Sequence, residues 1–312
     1  MILVTAHAKI NFFLEITGRR PDGYHTLSTV FQTISLGDEL TFQSAPELAL
    51  SCSDPALPVD ERNLVMKAAV RLREALRESR GARIHLEKKI PMGAGLGGGS
   101  SDAAAVLKNL PALWGRRIGV SALRKLAVSL GADVPFFLKG GLCSAAGIGE
   151  QLRPMKPLPK TWLVLVYPGF GVSTKEAYAK VRLPFVYPHK EPSPAAFASL
   201  GLALSRARRG RGWSGRYGPP LPQFPIARWS RWSCAGREGE GTFFNRFEEL
   251  VFPDHPELPG LKQDLLRAGA AAALMSGSGS AVFGVAGSRE QGTQILAQIQ
   301  KTYSQSWLVH TI

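Results

Sequence analysis

Pro91-Met92-Gly93-Ala94-Gly95-Leu96-Gly97-Gly98-Gly99-Ser100-Ser101 is the most informative stretch of this sequence, with five glycines in seven positions. We call residues 91–101 the first glycine loop. Glycine lets the backbone adopt positive φ and approach a ligand closely. Asp102 and the apolar residues after it open a helix, and the start of a helix offers unpaired N–H groups and a positive dipole end. The stretch therefore predicts a site for an anion, in particular a nucleotide phosphate.

Two common phosphate-binding motifs do not account for this loop. A Walker A loop requires Lys after its last glycine, whereas Gly99 is followed by Ser100. Gly93, Gly95 and Gly98 have the spacing of a dinucleotide-binding loop, but the acidic residue expected about 20 positions later is missing. A glycine-rich surface turn remains the structural alternative.

Further motifs make the resemblance specific. They are Ala8-Lys9-Ile10-Asn11-Phe12-Phe13-Leu14, Arg20-Pro21-Asp22-Gly23-Tyr24-His25, Leu130-Gly131-Ala132-Asp133-Val134-Pro135 and the second glycine loop, Ser276-Gly277-Ser278-Gly279-Ser280. Together with the first glycine loop they resemble the GHMP kinases, over residues 2–190 and 241–290. The resemblance implies an α+β, two-domain GHMP kinase fold. Its N-terminal ATP-binding domain (1–157) is expected to be ribosomal protein S5 domain 2-like, and its C-terminal domain (158–312) ferredoxin-like.

The resemblance also implies an activity, the ATP-dependent phosphorylation of an alcohol. ATP would bind the whole first glycine loop and bring Mg²⁺ with it. The motifs around Asp22 and Asp133 are most similar to the branch of the family that acts on a cytidine diphosphate-linked sugar alcohol in the non-mevalonate isoprenoid pathway. Kinases for homoserine or mevalonate are the alternatives within the family.

Residue roles follow from the same resemblance. Lys9 and Asp133 would be catalytic, Asp133 as the base and Lys9 as a cation beside the reacting hydroxyl. The expected substrate-binding residues are Asn11, Tyr24, His25, Phe31, Tyr178, Ser276, Gly277, Ser278 and Gly279. Phe31 and Tyr178 would sandwich the cytosine, and His25 would read its edge. No residue is assigned as a metal ligand. Taken singly, Asp133 is also compatible with a turn, Lys9 with a solvated strand position, and the aromatic residues with a core.

Composition restricts the class of protein. The 312 residues are 45% apolar, which suits two globular domains. No run of about 18 apolar residues is present, and the N-terminus shows no signal-peptide pattern. Three widely spaced cysteines, Cys52, Cys143 and Cys234, favour reduced thiols in the cytoplasm over a disulfide framework. The expected partners are small-molecule substrates and no membrane, with the chain a monomer or homodimer.

The net charge of +14 is unevenly distributed. Residues 205–237 carry eight arginines and no acidic side chain, so more than half of the net positive charge lies in this segment. We predict no nucleic-acid partner, although an RNA-binding protein of S5-like fold is the alternative from another class. The stretch 201–240 has no helical or strand period and is predicted to be a disordered insertion or a reading-frame artefact. A kinase rendered inactive by this stretch is a third possibility.

Hydrophobic periodicity predicts the elements that carry these motifs. Alternating apolar residues indicate a half-buried strand over 10–16 and a returning strand over 30–34. Asn63 and Ser121 are predicted helix caps, and Ser173 opens a capping box with Glu176. Further strands are expected at 82–86, 140–146, 162–167, 271–275, 281–285 and 307–309, and helices at 261–268 and 291–303. A proline-rich stretch at 153–160 predicts the domain boundary.

Overall fold

The computed structural model describes residues 1–181 and 243–312, in which two β-sheets carry helices on their outer faces. The strands are β1 (Ile2–Arg19), β2 (His25–Ala45), β3 (Leu48–Cys52), β4 (Gly81–Glu87), β5 (Leu142–Ala146), β6 (Gln151–Pro154), β7 (Trp162–Val166), β8 (Phe244–Asn245), β9 (Ala272–Met275), β10 (Val282–Ala286) and β11 (Ser306–His310). The helices are α1 (Leu64–Leu76), α2 (Gly98–Leu113), α3 (Val120–Leu130), α4 (Val134–Phe137), α5 (Thr174–Ala179), α6 (Phe247–Val251), α7 (Glu257–Arg267) and α8 (Arg289–Ile299). The predicted insertion at 201–240 and Cys234 lie outside the described residues.

The first sheet is built on a long antiparallel pair, β1 with β2. Its strand order is β3-β4-β2-β1-β8, with β5 pairing both β2 and β6. The second half of β2 pairs with β4 and its first half with β5, so this one strand joins the two parts of the sheet. The predicted strand and its returning partner are thereby confirmed, and both are longer than their apolar alternation indicated.

The second sheet is antiparallel, with the order β11-β7-β10-β9. Helices separate β7 from β9 and β10 from β11, which gives the β-α-β-β-α-β connection of a ferredoxin-like unit. Helices α7 and α8 pack on one face of this sheet through Leu261, Leu265 and Ile295. The expected ferredoxin-like architecture of the C-terminal half is therefore confirmed.

The two sheets face each other across a shared apolar core. Ile10 and Phe12 of β1 pack there with Leu163 of β7 and Phe283 of β10. On the opposite side of the first sheet, helices α1 to α4 cover a separate core. Strand β1 is consequently buried on both faces from Ala8 to Ile16, which corrects the half-buried strand predicted from its alternation. The sequence of β1 could not reveal that a second sheet covers one face.

Two helix starts differ from the sequence-based predictions. Helix α2 begins at Gly98, so the last four residues of the first glycine loop form its first turn, ahead of Asp102. Helix α3 begins at Val120 and its cap is Gly119, two residues before the predicted cap Ser121. The caps at Asn63 and Ser173 are confirmed, because their side chains accept hydrogen bonds from the N–H groups of Val65 and Glu176.

The chain passes from the first sheet to the second between β6 and β7. The predicted boundary at residue 157 falls within this connection and remains a prediction, since β8 from the second half of the chain pairs with β1. In the two described stretches, no helix combines the length and apolar character needed to cross a membrane.

Candidate active site

A cavity of about 1050 Å³ opens where the two halves of the protein meet. Strands β1 and β2 supply its floor, and the first glycine loop, the start of α4, helix α5 and the second glycine loop supply its walls. Both residues predicted to be catalytic, Lys9 and Asp133, line it. The fold thus gathers motifs that are far apart in the sequence.

The first glycine loop has its carbonyl groups turned to the protein. Gly93 O accepts a hydrogen bond from Val172 N, Ala94 O from Ala281 N, and Gly95 O from Lys9 Nζ. Leu96 O accepts from Lys9 N, and Gly97 O from Ser101 N. The donor–acceptor distances are 2.8–3.2 Å. Among the described residues, none accepts a bond from the backbone N–H groups of residues 93–100. A run of free N–H groups beside a helix N-terminus is an anion site.

Positive φ angles at Gly93, Gly95 and Gly97 produce this arrangement. L-residues rarely adopt such angles, and there is also no space for a side chain. A Cβ on Gly95 would lie 2.0 Å from Ser276 O, and one on Gly97 would lie 2.7 Å from the ring of Phe137. Glycine is therefore required at these positions by both conformation and packing.

The second glycine loop closes directly on the first. Ser276 Oγ donates to Gly95 O over 3.0 Å, and Ser278 Oγ lies 2.8 Å from the hydroxyl of Thr174 on α5. Gly277 has a φ of 55°, and a Cβ there would lie 3.2 Å from Lys9 Nζ. The contact between the loops therefore sets the surroundings of Lys9 as well as the wall of the cavity.

Lys9 and Asp133 form a pair in the cavity floor. Lys9 Nζ lies 3.8 Å from Asp133 Oδ2 and donates to Asn11 Oδ1 at 2.7 Å and to Gly95 O at 2.8 Å. Burial lowers the pKa of Lys9, and the charge of Asp133 partly opposes that effect. Asp133 precedes α4 without capping it, and about a third of its side chain is exposed. Its carboxylate is therefore accessible to a ligand while remaining next to an ammonium group.

Aromatic residues line one end of the cavity. The rings of His25 and Tyr178 stack, with centroids 5.3 Å apart, and Tyr24 is largely exposed. Phe31 is buried beneath Lys9 and packs on Phe136. Burial, followed by the nearby charge of Arg19, lowers the pKa of His25, and burial, followed by the charge of Asp133, raises the pKa of Tyr178. All four predicted aromatic residues line the cavity, and among them His25 is the stacking partner of Tyr178.

Three predicted binding residues do not line the cavity. Ser101 is buried and its hydroxyl donates to His7 O at 2.7 Å, so it fastens α2 to β1. Ser276 is fully buried, and its hydroxyl donates to Gly95 O. Gly279 donates its N–H to Ser276 O and shapes the turn of the second loop. These residues support the cavity wall from behind, and their predicted contact with a ligand stays a prediction.

The structure adds a buried charge cluster that the sequence analysis missed. Lys88 Nζ bridges Asp38 and Asp102, and both Lys88 and Asp102 line the cavity behind the first glycine loop. Burial raises the pKa of Asp102 to about 8 against the attraction of Lys88, while the two carboxylates raise the pKa of Lys88 against the effect of its own burial. No local motif marks these three residues, because they come from β2, from the position just after β4 and from α2.

Two family models match parts of the chain that contain the glycine loops. The sequence model of the GHMP kinases N terminal domain matches residues 63–141, which include the first glycine loop and Asp133. The model of the GHMP kinases C terminal domain matches residues 228–305, which include the second glycine loop.

Curated relatives match almost the whole chain. The 4-diphosphocytidyl-2-C-methyl-D-erythritol kinase of Chlorobium limicola is 41% identical over 305 residues, covering 96% of this chain and 93% of the relative. The enzyme of the same name from Symbiobacterium thermophilum is 38% identical over 310 residues, 99% of each chain. A crystal structure of 4-(cytidine 5'-diphospho)-2C-methyl-D-erythritol kinase is 35% identical and superposes with a TM-score of 0.73, covering 99% of both chains. A homoserine kinase from Cytophaga hutchinsonii shares the fold, with a TM-score of 0.62 and 20% identity.

Proposed function

The chain belongs to the GHMP kinase family, and from this we propose that it transfers the γ-phosphoryl group of ATP to the 2-hydroxyl of 4-diphosphocytidyl-2-C-methyl-D-erythritol. It is a kinase, and its relatives at about 40% identity over their full length carry the name of that enzyme. This reaction belongs to the non-mevalonate route to isoprenoid precursors. Homoserine and mevalonate kinases share only the fold, at 13–20% identity, so those acceptors are not favoured.

The main support for the proposed mechanism is the pairing of Lys9 with Asp133 beside the first glycine loop. Phosphoryl transfer needs the phosphates held in place, positive charge near the reacting oxygens and a group that accepts the proton of the acceptor hydroxyl. We assign the first task to the backbone N–H groups of residues 93–100, for which the described part of the chain offers no acceptor. Lys9 Nζ, 3.8 Å from Asp133 Oδ2, supplies the charge, and the Asp133 carboxylate accepts the proton.

Asn11 completes the hydroxyl site in this proposal. Its amide donates to Thr29 Oγ1 at 2.8 Å and its oxygen accepts from Lys9, so the side chain is fixed in the cavity floor. An acceptor hydroxyl held beside Asn11 lies next to both members of the catalytic pair. Fixed groups of this kind stabilise developing charge without reorganising, which is worth about 3 kcal/mol in typical sites.

The aromatic end of the cavity supports a cytidine-bearing acceptor. Stacking one base on an aromatic ring is worth about 1–3 kcal/mol. We place the cytosine against Tyr178 and Phe31, with His25 directed to its polar edge. The stacking of His25 on Tyr178 means that the base would enter on the other face of Tyr178 or displace His25. Homoserine and mevalonate have no ring to use such a surface.

The remaining assignments concern the partners. We propose that ATP enters with Mg²⁺ bound to its phosphates, since magnesium in such sites keeps several waters and few protein ligands. The glycine cradle fits the phosphates, because among the described residues none accepts a hydrogen bond from the backbone N–H groups of residues 93–100. The reaction is placed in the cytoplasm and involves small molecules without nucleic acid, with the chain acting as a monomer or homodimer.

An ADP-release assay with an acceptor panel tests the activity. The full-length chain with MgATP should turn over 4-diphosphocytidyl-2-C-methyl-D-erythritol and neither homoserine nor mevalonate. Asp133→Asn should lower kcat about 10²–10⁴-fold, the usual range for losing a general base, and leave the affinity for a non-hydrolysable ATP analogue unchanged. Retained turnover in this variant would remove Asp133 as the base. Salt-sensitive RNA binding with no ATP turnover in the wild type would contradict the kinase assignment itself.

A further inference from the structure

Asn245 lies at the junction of the two sheets and outside the cavity lining. It belongs to β8, which pairs in parallel with β1 so that Asn245 is opposite Leu14. The next residue continues this attachment, because Arg246 N donates to Leu14 O at 2.9 Å. The side chain of Asn245 is 2% exposed. A buried amide at this point requires a hydrogen-bond partner for each of its polar atoms.

The amide of Asn245 is fully used by the backbone around the second glycine loop. Its Nδ2 donates to Met275 O at 2.8 Å and to Gly277 O at 2.7 Å, and its Oδ1 accepts from Phe247 N at 3.0 Å. Two carbonyl partners on one side and an N–H on the other leave a single orientation for the amide. Asn245 therefore ties the loop to the strand that carries Lys9.

This attachment fixes the loop where it meets the reacting groups. β9 is the edge strand of the second sheet, and Met275 is its last residue before the loop. Beyond it, Gly277 approaches the first loop so closely that a Cβ would lie 3.0 Å from Gly95 O and 3.2 Å from Lys9 Nζ. A shift of the Gly277 carbonyl would thus be transmitted to Gly95 and Lys9.

We propose that Asn245 is a positioning residue of the phosphoryl transfer, holding the second glycine loop against Gly95 and Lys9. The inference rests on the proposed kinase function. It predicts that loss of the two amide donors lowers kcat far more than it lowers nucleotide affinity. The reason is that Gly93 O, Leu96 O and Gly97 O of the first loop are held by Val172 N, Lys9 N and Ser101 N, which lie outside the second loop. A misplacement of about 1 Å at a reacting group can cost about 10²-fold in rate.

Asn245→Asp is the informative substitution, since it keeps the shape and presents a carboxylate to two carbonyl oxygens. We expect kcat to fall about 100-fold, with affinity for a non-hydrolysable ATP analogue, measured by calorimetry, reduced less than about tenfold. Protonation restores one donor to an aspartate, so the ratio of variant to wild-type kcat should rise as the pH falls from about 8 to about 6. Asn245→Ala, which cannot regain a donor, should show a constant ratio over the same range.

Gln291→Ala provides the matched control. Gln291 also binds backbone groups of the C-terminal half, Gly269 O and Gly287 N, but does not contact either glycine loop. Its loss should lower the melting temperature and leave kcat unchanged. Equal kcat in the Asn245 and Gln291 variants would overturn the positioning role while leaving the kinase function intact. An inactive wild type would instead overturn the proposed function. If Asn245→Asp does not fold, Asn245→Ser retains one donor and should show a smaller fall in kcat than Asn245→Ala.

Discussion

Replacing Gly95 with alanine should separate the two glycine loops and slow the reaction about a hundredfold. The new Cβ would lie 2.0 Å from Ser276 O and 3.1 Å from Gly279 N, both of them backbone atoms. Real Cβ atoms do not approach backbone oxygen within about 3 Å, so the loops must move apart by about 1 Å. That movement strains the bonds that Gly95 O receives from Lys9 Nζ and Ser276 Oγ.

The substitution also has a conformational cost, because alanine must adopt a positive φ. The same substitution at another glycine of positive φ, Gly115, measures this cost separately. Gly95 has a φ of 73°, and a non-glycine residue in this region costs about 1 kcal/mol. Gly115 has a φ of 60°, and a Cβ at this position would meet nothing within 4 Å, so Gly115→Ala imposes the backbone cost alone. The difference between the two variants therefore measures the loop contact.

Two measurements decide the outcome. Chemical denaturation should show a loss of about 1 kcal/mol for Gly115→Ala and a larger loss for Gly95→Ala. The ADP-release assay should give wild-type kcat for Gly115→Ala and a kcat about 100-fold lower for Gly95→Ala, the size expected for a displacement of reacting groups by about 1 Å. If Gly95→Ala kept kcat within a few-fold of the Gly115 variant, the loop contact would not be what places Lys9.

Two further changes address the buried charges and the acceptor site. Burial raises the pKa of Asp102 from 3.8 to about 8, so the folded protein holds a proton that the unfolded chain has released, and stability falls as the pH rises through this window. Asp102→Asn should remove this decline in unfolding free energy, which amounts to at most about 1.4 kcal/mol per pH unit. The prediction would be contradicted by a Tm difference between variant and wild type that stayed constant between about pH 5 and about pH 8. Phe31→Leu, which preserves apolar packing, should raise the acceptor KM at least about fivefold and leave the ATP KM unchanged. An unaltered acceptor KM would argue against stacking of the cytosine on Phe31.

The positions of Lys9 and Asn11 show what the alternation of a strand can predict and what it cannot. Two residues apart on β1, they lie on one face because side chains alternate along a strand, and a hydrogen bond joins them. Their burial was not foreseeable from the strand, because helix α2 and the glycine loops that cover that face come from distant parts of the sequence. A lysine that local sequence leaves in solvent is thereby enclosed and its pKa lowered.

The two serine hydroxyls of the first glycine loop show that neighbours in the sequence can have different roles in the fold. Ser100 and Ser101 are adjacent in the sequence, yet only Ser100 lines the cavity, because α2 already runs through both and directs Ser101 to His7 O. Asn245 and the cluster of Asp38, Lys88 and Asp102 were missed for a related reason. Each acts through contacts between elements, and no spacing in the sequence marks such contacts.

Local geometry could be read from residue types without knowledge of the fold. Positive φ at Gly93, Gly95 and Gly97 is open to glycine without strain, and the caps at Asn63 and Ser173 follow from side chains that bond their own helix. Which distant atoms meet depended instead on the folded chain. The approach of Gly277 to Gly95 requires the second sheet to cover the first, and that burial of apolar surface is a property of the whole chain. The approach of Asp133 to Lys9 requires α4 to pack with the other helices on the opposite side of the first sheet.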